Sequence, residues 1–308
     1  MTFGIVIVTY RCRELALRCL ASIAEQLPDA LNHTVIVDNA SGDGTPEAVR
    51  GSFPAVTVIE NARNLGFATA VNIGIAALPE ARAICLLNPD SVLLDANIPG
   101  AVAYLEAHPE AGVLGGRIVN DDGSIQPSAR AFPSFLNAFF NRHSLLTKLF
   151  PGNRWSQRYL MTDWAHDEVR PVDWVSGAFM VIHRRAIHAA GVLDPAYFFS
   201  IEDVDYCRRV RDAGLEVVYY PETSVRHRVG GSSRHAVIRA RAAHHRGMWR
   251  YYRKHKHTNP ALDALTFAAI WGRFTLHTIL YSTGRLASRL VLARRSPSPA
   301  APGEGAGG

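Results

Sequence analysis

The chain has 308 residues, of which 48% are hydrophobic and 19% are charged, and it carries a formal net charge of +6 at pH 7. This much apolar material can bury a sizeable core, which excludes a wholly disordered or fibrous chain. At about 150 residues per domain, the length favours one large domain with an appendage. The positive charge favours an anionic partner, such as a nucleic acid, an acidic phospholipid or a phosphorylated small molecule.

Cysteine usage and the first residues both favour a cytoplasmic protein. Cys12, Cys19, Cys85 and Cys207 form no CxxC pair and are too few for a disulfide scaffold, so we expect reduced thiols and no zinc ribbon. Residues 1–10 are apolar, yet they lack the basic region and the small-residue cleavage site of a signal peptide. They predict a buried strand.

The first hundred residues alternate short β-rich runs with helical patterns. The predicted strands are 5–8, 34–37, 56–60 and 83–87. The predicted helices are 14–25, 46–51, 68–78 and 96–108. This alternation predicts an α/β fold with a mostly parallel, Rossmann-like sheet and helices on both faces. Polar clusters at 38–44 and 88–90 follow two of the strands, where an open α/β sheet binds its ligand. We therefore expect both clusters to line one crevice.

The next part of the chain is less regular. The aromatic stretch 132–140 fits a helix and a mobile loop equally well. Residues 174–182 predict another buried strand, 203–212 a helix, and 215–220 a strand that returns to the sheet. We expect the core of the fold to close near Val229.

Basic and aromatic residues concentrate near the C-terminus. A basic helix is predicted over 236–256 and a second helical stretch over 262–292, where basic residues interrupt an apolar run too short for a transmembrane helix. One interpretation is an amphipathic pair on an anionic membrane surface. The other is a helical cap that packs on the core or forms a homodimer. The predicted regions are a catalytic domain at 1–230, a helical extension at 231–295 and a disordered tail at 296–308.

Five side chains could carry chemistry. Asp38 ends a strand and precedes glycines, so it could bind a base or ribose, or merely open a turn. Asp90 could hold Mg²⁺ or Mn²⁺ on a diphosphate, because such cations need only one or two protein carboxylates, and His227 could complete that site. Glu202 and Asp203 begin a helix, where they either complement its dipole or supply a general base. Asp203 is the candidate base.

A helix start at 64–67 is a second candidate for ligand contact. Asn64 and Gly66 precede the helix, Arg63 lies beside them, and Asn72 follows two turns later. Helix N-termini attract anions, so this segment could contact a diphosphate or a ribose. The alternative is that Asn64 caps the helix and Asn72 is a packing amide.

Six segments together resemble the family 2 inverting glycosyltransferases of the GT-A fold, particularly a bacterial rhamnosyltransferase-like branch, over roughly residues 3–230. The segments, in family order, are IVIVTY at 5–10, VDNASGDGT at 37–45, NLGFATAVNIG at 64–74, LNPD at 87–90, WVSGA at 174–178 and EDVDYCR at 202–208. This sequence has Asn88 where the fuller family motif often has a first Asp.

The resemblance implies a role for each matching residue. Thr9, Tyr10 and Asp38 would hold the base and ribose; Asn64, Asn72 and Asn88 would line the nucleotide pocket; Asp90 and His227 would bind Mg²⁺ or Mn²⁺; Asp203 would be the base; and Trp174, Ser176, Gly177 and Glu202 would face donor sugar and acceptor. The implied reaction is a single, metal-dependent displacement that inverts the anomeric centre.

The resemblance favours dTDP-L-rhamnose as the donor, with a UDP-hexose as the alternative. The implied acceptor is a glycan or a polyprenyl-linked sugar in cell-envelope polysaccharide synthesis, at the inner face of the cytoplasmic membrane. A catalytically inactive nucleotide-sugar-binding protein is a further alternative. Nucleic-acid binding along 239–257 would leave the carboxylate clusters unexplained, so no nucleic-acid partner is expected.

Overall fold

The computed structural model describes residues 2–133, 157, 161, 164–228, 237–256 and 259–295, with the backbone alone at 237 and 284–295. Contacts divide the chain into two compact units, Met1–Thr258 and Asn259–Gly308. Most of the aromatic stretch 132–140 and the whole predicted tail 296–308 lie outside the described residues.

Strands of the described part follow the predicted α/β order closely. In chain order they are β1 Phe3–Thr9, β2 Thr34–Asp38, β3 Thr57–Glu60, β4 Ala83–Leu87, β5 Ser91–Leu93, β6 Ala111–Val119, β7 Ala129–Arg130, β8 Arg170–Val172, β9 Trp174–Val175, β10 Phe179–His183 and β11 Glu216–His227. The helices are α1 Arg13–Gln26, α2 Thr45–Ser52, α3 Phe67–Ala76, α4 Ile98–Ala107, α5 Arg184–Ala190, α6 Glu202–Asp212, α7 Val237–His255 and α8 Pro260–Arg295, with a 3₁₀ turn at Pro28–His33.

Nine strands form the central sheet in the order β3-β2-β1-β4-β10-β6-β11-β5, with β8 also paired to β11. Strands β3, β2, β1 and β4 are parallel, and so are β6 and β11, whereas β10, β5 and β8 run against their neighbours. This arrangement confirms the expected mostly parallel sheet. A separate small sheet pairs β7 with β9.

The core lies on both faces of the sheet, as expected. Alternate residues of β1 face opposite ways: Val6 and Val8 belong to one buried cluster, and Ile5 and Ile7 to the other. A strand that is covered on both faces reads as a continuous apolar run, which explains why β1 lacks alternation in the sequence. All four cysteines are free and buried.

The prediction of a single strand over 174–182 is wrong in one respect, because a turn divides this segment into β9 and β10. At the turn, Ser176 N–H donates to the carbonyl of Ser128 (2.9 Å), which holds this segment against the small sheet. Beyond the turn, β10 joins the central sheet between β4 and β6. The turn leaves the Gly177 N–H available to a side chain of α6.

Strand β11 extends well beyond the predicted residue 220 because it contains a bulge. Tyr220 lies opposite Gly116 and Ser224 opposite Arg117, so residues 221–223 are extra. The carboxylate of Asp95 holds the bulge, accepting hydrogen bonds from the backbone N–H and hydroxyl of Ser224 at 2.6 and 2.7 Å. The strand then continues to His227.

Helix α7 belongs to the first compact unit, which runs to Thr258. The domain boundaries at 230 and 295 stay predictions. In the second unit, the long helix α8 carries exposed apolar side chains that include Leu265, Leu276 and Leu280. Among the described residues, no helix combines the length and the apolarity needed to cross a bilayer.

Candidate active site

Strand pairing brings Asp90 and His227 together across a large sequence separation. Asp90 lies in the turn between β4 and β5, and Ser91 of β5 pairs with His227 at the end of β11. The His227 Nε2 atom is 3.2 Å from Asp90 Oδ1, and Asp90 is only 6% exposed. Asn88 Nδ2 lies 3.5 Å from the same imidazole nitrogen. Two predicted metal-binding residues are therefore in contact.

Both nitrogens of the His227 ring lie near polar side chains. Nδ1 lies 3.0 Å from Gln126 Oε1, which can only accept a hydrogen bond. In the neutral tautomer that donates from Nδ1 to Gln126, Nε2 presents a lone pair beside the Asp90 carboxylate oxygen. A nitrogen and an oxygen lone pair at this separation fit two neighbouring ligands of one divalent cation.

The described residues contain no group of three or more His, Cys, Asp or Glu side chains that could hold a metal ion. A cation at Asp90 and His227 would therefore need further oxygen ligands from a bound phosphate or from water. Mg²⁺ is held in this way at many phosphate sites, by one or two carboxylates plus substrate oxygens. The donor set thus fits a cation that arrives with a diphosphate.

The predicted base-binding and ribose-binding residues cluster at the ends of β1 and β2. Asp38 is buried and accepts hydrogen bonds from the Thr9 hydroxyl (2.8 Å), the Ser41 N–H (2.9 Å) and the Ser41 hydroxyl (2.5 Å). Tyr10 is half-buried beside them, with the Arg11 guanidinium 5.4 Å from its ring centroid. Ser41 was not singled out in the sequence, although serine is common in turns that a preceding Asp side chain holds.

The two polar clusters lie at the same edge of the sheet. Strand β1 lies between β2 and β4 and runs parallel to both, so the ends of β2 and β4 that precede the two clusters point the same way. Burial, together with the charges of Asp90, Asp43 and Asp38, raises the pKa of Cys12 to about 12. A crevice lined by both clusters stays a prediction.

The two asparagines of the helix-start segment have different surroundings. Asn64 Oδ1 accepts from the Gly66 N–H (2.9 Å), which shapes the turn into α3. The Asn72 amide both donates to the Leu193 carbonyl (2.8 Å) and accepts from the Leu193 N–H (3.1 Å). The contact shown for Asn72 is therefore a packing one, and its place in the nucleotide pocket stays a prediction.

Asp203, the predicted base, is held at the start of α6. Its Oδ2 accepts from the Gly177 N–H (3.1 Å) and its Oδ1 accepts from the Val204 N–H (2.8 Å). Burial raises the pKa of Asp203, while these hydrogen bonds and the charge of Arg130 oppose that rise. A carboxylate with a raised pKa and a fixed orientation is suited to accept a proton.

Glu202 forms a carboxyl pair with Asp203. It is 6% exposed, and its Oε2 has no hydrogen-bond partner. Burial, together with the neighbouring Asp203 charge, raises the pKa of Glu202 well above its ordinary value. Because two adjacent buried carboxylates resist a double negative charge, the pair favours a neutral Glu202 beside an ionised Asp203.

Asp205, the third carboxylate of the segment 202–208, has a different role from Glu202 and Asp203. It is fully buried and contacts Arg209 (2.9 Å), Lys254 (2.9 Å), His255 (2.8 Å) and the Tyr197 hydroxyl (3.1 Å). These partners hold the pKa of Asp205 well below its ordinary value despite burial. The cluster joins α6 to α7, so Asp205 serves structure.

The segment predicted to face donor sugar and acceptor surrounds the small sheet. Trp174 is buried, and its indole N–H donates to the Ala131 carbonyl (2.9 Å). Ser176 Oγ accepts from the Ala178 N–H (3.3 Å), next to Gly177. Arg130, which sequence reasoning missed, lies over the Trp174 ring at 5.3 Å. Its strand is only two residues long, so no periodicity marks it. The sugar-facing roles stay predictions.

The sequence matches known proteins over most of its length. Residues 4–160 match the family model described as Glycosyl transferase family 2. A relative in two strains of Mycobacterium tuberculosis, N-acetylglucosaminyl-diphospho-decaprenol L-rhamnosyltransferase, is 34% identical over 257 residues, covering 80% of this chain and 82% of the relative. The chain belongs to glycosyl transferase family 2. This confirms the expected family and its sugar-transferase class.

Solved structures show that this family 2 glycosyltransferase has the GT-A fold. The mannosyltransferase PcManGT from Pyrobaculum calidifontis, solved with GDP-Man and Mn²⁺, has a TM-score of 0.54 at 18% identity, covering 96% of this chain and 81% of that one. GalNAc-T7 with UDP, GalNAc and Mn²⁺ also gives 0.54, at 15% identity, covering 74% and 44%. S. aureus TarS 1–349 with UDP gives 0.51, at 13% identity, covering 89% and 71%.

Proposed function

We propose that this glycosyltransferase transfers L-rhamnose from dTDP-L-rhamnose to an N-acetylglucosaminyl group on a polyprenyl diphosphate, with inversion, in cell-envelope polysaccharide synthesis. The L-rhamnosyl group and the acceptor are taken from the name of the 34% identical relative, and dTDP as the sugar carrier comes from the family resemblance. The observation that carries the chemistry is the Asp203 carboxyl, which is fixed by the Gly177 N–H and has a raised pKa. The Asp90 and His227 pair supplies a second group at the same edge of the sheet, where the Asn88 N–H donates to the carbonyl of Ala178, next to Gly177 (3.0 Å).

The reaction needs one proton acceptor and one departing diphosphate. Asp203 takes the proton of the acceptor hydroxyl as that oxygen bonds to the anomeric carbon. The bond from that carbon to the diphosphate breaks, and its electron pair leaves with the nucleotide. A divalent cation held by Asp90 and His227 would offset the charge that grows on the leaving diphosphate. A single displacement inverts the anomeric centre.

A ligand panel tests the donor. Thermal shifts are measured with dTDP, UDP, GDP and ADP, each with and without Mg²⁺ or Mn²⁺, because a ligand that binds the folded state raises the melting temperature. A metal-dependent shift with dTDP supports the rhamnosyl donor, and a preference for UDP moves the donor to a hexose. Transfer from dTDP-L-rhamnose to a polyprenyl-linked N-acetylglucosamine, with the product anomer assigned by NMR, then tests the reaction.

The identity of the metal is a separate proposal. Two of the structural neighbours were solved with Mn²⁺. Mg²⁺ and Mn²⁺ both prefer the oxygen ligands that Asp90 and a diphosphate offer, and the imidazole nitrogen of His227 suits Mn²⁺ better than the harder Mg²⁺. Activity after removal of metal by a chelator, followed by titration with each ion, identifies the one that restores transfer. Full activity without any added ion would contradict metal dependence.

Helix α8 carries the proposal of membrane contact at the inner face of the cytoplasmic membrane. At about 100° per residue, Leu265, Leu276, Ile279 and Leu280 fall on one face of the helix. All four are exposed, from 53% to 61%. An apolar face on a basic segment suits an anionic lipid surface, where a polyprenyl-linked acceptor also resides.

Vesicle binding tests this membrane proposal. Replacing Leu276 and Leu280 by Ser is expected to reduce sedimentation of the full chain with vesicles rich in phosphatidylglycerol. Ile238→Ser, at an exposed apolar position of α7, is the matched control. Unchanged sedimentation of the α8 variant would contradict the proposal. The homodimer, which the sequence leaves open as an alternative, is tested by light scattering of the protein without vesicles.

A further inference from the structure

The turn that leads into α6 has an unusual backbone conformation. Ser200 and Ile201 have φ values of 67° and 73°, in the left-handed region. A β-branched residue such as Ile201 rarely adopts that conformation, because its side chain crowds the backbone there. The next two residues are Glu202 and Asp203, so the strained turn fixes the direction in which α6 begins. Neighbouring groups must hold this turn in place.

Helix α7 packs directly against the strained turn. The Ser200 hydroxyl and His244 Nδ1 are 2.9 Å apart and share a hydrogen bond. Three residues later along α7, a Cβ atom added to Gly247 would lie 3.1 Å from the Ser200 carbonyl oxygen and 3.3 Å from Ile201 Cβ. Gly247 therefore permits a close approach of helix and turn that a larger residue would prevent.

Ionic contacts to two carboxylates hold α7 against the residues on both sides of the turn. On the C-terminal side, Lys254 and His255 reach the buried Asp205 carboxylate at 2.9 and 2.8 Å. On the N-terminal side, Arg250 and Lys254 reach Asp194 at 3.1 and 3.0 Å. The helix is thus fixed to both ends of the segment whose middle it contacts through His244 and Gly247.

We propose that His244 and Gly247 are positioning residues for the proton transfer, an inference that rests on the proposed role of Asp203 as the base. They hold Ser200 and Ile201 in the left-handed conformation. This sets the first turn of α6 so that the Asp203 carboxyl meets the Gly177 N–H at 3.1 Å. Loss of this support lets the turn relax and moves the carboxyl away from the acceptor hydroxyl.

Two variants of the full chain test the proposal. His244→Phe removes the hydrogen bond to Ser200, and Gly247→Val separates α7 from the turn. Both are expected to lower kcat for transfer by about tenfold or more, because small displacements of a reacting group slow catalysis strongly. Nucleotide affinity is expected to stay within about twofold of the wild type, since Asp38 and Asp90 are untouched. Arg246→Ala, at an exposed position of the same helix, is the control.

Two further variants separate positioning from general destabilisation. His244→Gln keeps a polar group near the Ser200 hydroxyl and is expected to recover most of the lost kcat. Ser200→Ala combined with His244→Phe is expected to be no slower than the slower single variant, because both remove the same bond. The proposal would be overturned if the reductions of kcat in the two single variants were fully additive in the double variant. It would also be overturned if nucleotide affinity fell in parallel with kcat.

Hydrogen exchange gives a readout that does not depend on activity. Amides of residues 198–204 are expected to exchange faster in His244→Phe than in Arg246→Ala. If the wild type transfers no sugar, the proposed function fails, whereas the exchange data still test the contact between α7 and the turn at Ser200 and Ile201. If the wild type is active and the variants match it in both kcat and exchange, the positioning role is wrong.

Discussion

The backbone N–H of Gly177 donates to Oδ2 of Asp203 at 3.1 Å, and this contact joins the turn between β9 and β10 to the first turn of α6. One carboxylate oxygen is thereby fixed by the backbone and the other by the Val204 N–H. The proposed base therefore has a defined orientation before any substrate binds, which reduces the reorganisation needed in the transition state.

Asp203→Asn is expected to lower kcat by roughly 10²-fold to 10⁴-fold, the usual contribution of a general base, because an amide cannot take the proton. Binding of the nucleotide is expected to change little. The measurements are transfer rates and calorimetric titration with the nucleotide. Loss of nucleotide binding in place of loss of rate would mean that Asp203 has another role.

The pH profile follows from the direction of the Asp203 shift. Burial raises the pKa of this carboxyl above its ordinary value of 3.8. The base must be ionised to work, so kcat/KM is expected to fall as pH decreases through that raised pKa. A rate profile between about pH 4 and 8 checks this. An acid limb that persists unchanged in Asp203→Asn would assign it to another group.

Asp90→Ala is expected to abolish the metal-dependent part of nucleotide diphosphate binding, because it removes the charged ligand beside His227. His227→Ala is expected to weaken the same binding less, since the ring contributes no charge in its neutral form. Thermal shifts with nucleotide, with and without Mn²⁺, measure both effects. Asp121→Ala, which removes an exposed carboxylate, is the control. Equal metal dependence in all three variants would reject the site.

Asp205→Asn is expected to destabilise the fold by about 3–5 kcal/mol, because it leaves Lys254 and Arg209 facing an uncharged buried group. Asp212→Asn breaks an exposed pair with Arg208 and is expected to cost less than about 1 kcal/mol. Urea unfolding of both variants gives the comparison. Similar losses would show that the buried cluster contributes no more than a surface pair.

The same cluster predicts a pH dependence of stability. The pKa of Asp205 is lower in the folded state than in the unfolded chain. Its contribution is therefore complete above the unfolded-state pKa of about 3.9, and it is lost as pH falls through the folded-state value. The wild type is expected to lose more stability than Asp205→Asn on acidification below about pH 4. Parallel curves for the two proteins would contradict this.

Two glycines with positive φ provide a paired test of close packing. Gly66 has φ +85°, and a Cβ there would lie 2.6 Å from the Phe198 carbonyl oxygen, whereas Gly123 has φ +81° and nothing within 4 Å. Gly123→Ala is expected to cost about 1 kcal/mol for the backbone alone. Gly66→Ala is expected to cost about 3 kcal/mol, because the overlap and the backbone conformation of Gly66 (φ 85°, ψ 169°), which is almost restricted to glycine, both add to it. Thermal unfolding measures both, and equal costs would contradict the packing argument.

Sequence patterns predicted the parallel half of the fold well, because strands such as β1 are continuous apolar runs bounded by turn residues. They also marked Asp38, Asp90 and His227, since polar residues at strand ends stand out against such runs, and Asp203 as one of the carboxylates at a helix start. The division of 174–182 could not be predicted, because its turn depends on a distant strand. The structural role of Asp205 could not be predicted either, because it depends on Lys254 and His255, which lie about fifty positions further along the chain.

The three extra residues of the β11 bulge, 221–223, determine which side of the sheet His227 faces. Side chains of a strand alternate between faces, so deleting one residue of the bulge without any other change would turn His227 away from Asp90. Inserting or deleting one residue here is therefore equivalent to losing the imidazole, even though the sequence still contains both proposed metal ligands. Asp95, through its hydrogen bonds to Ser224, holds the register of this strand beyond the bulge.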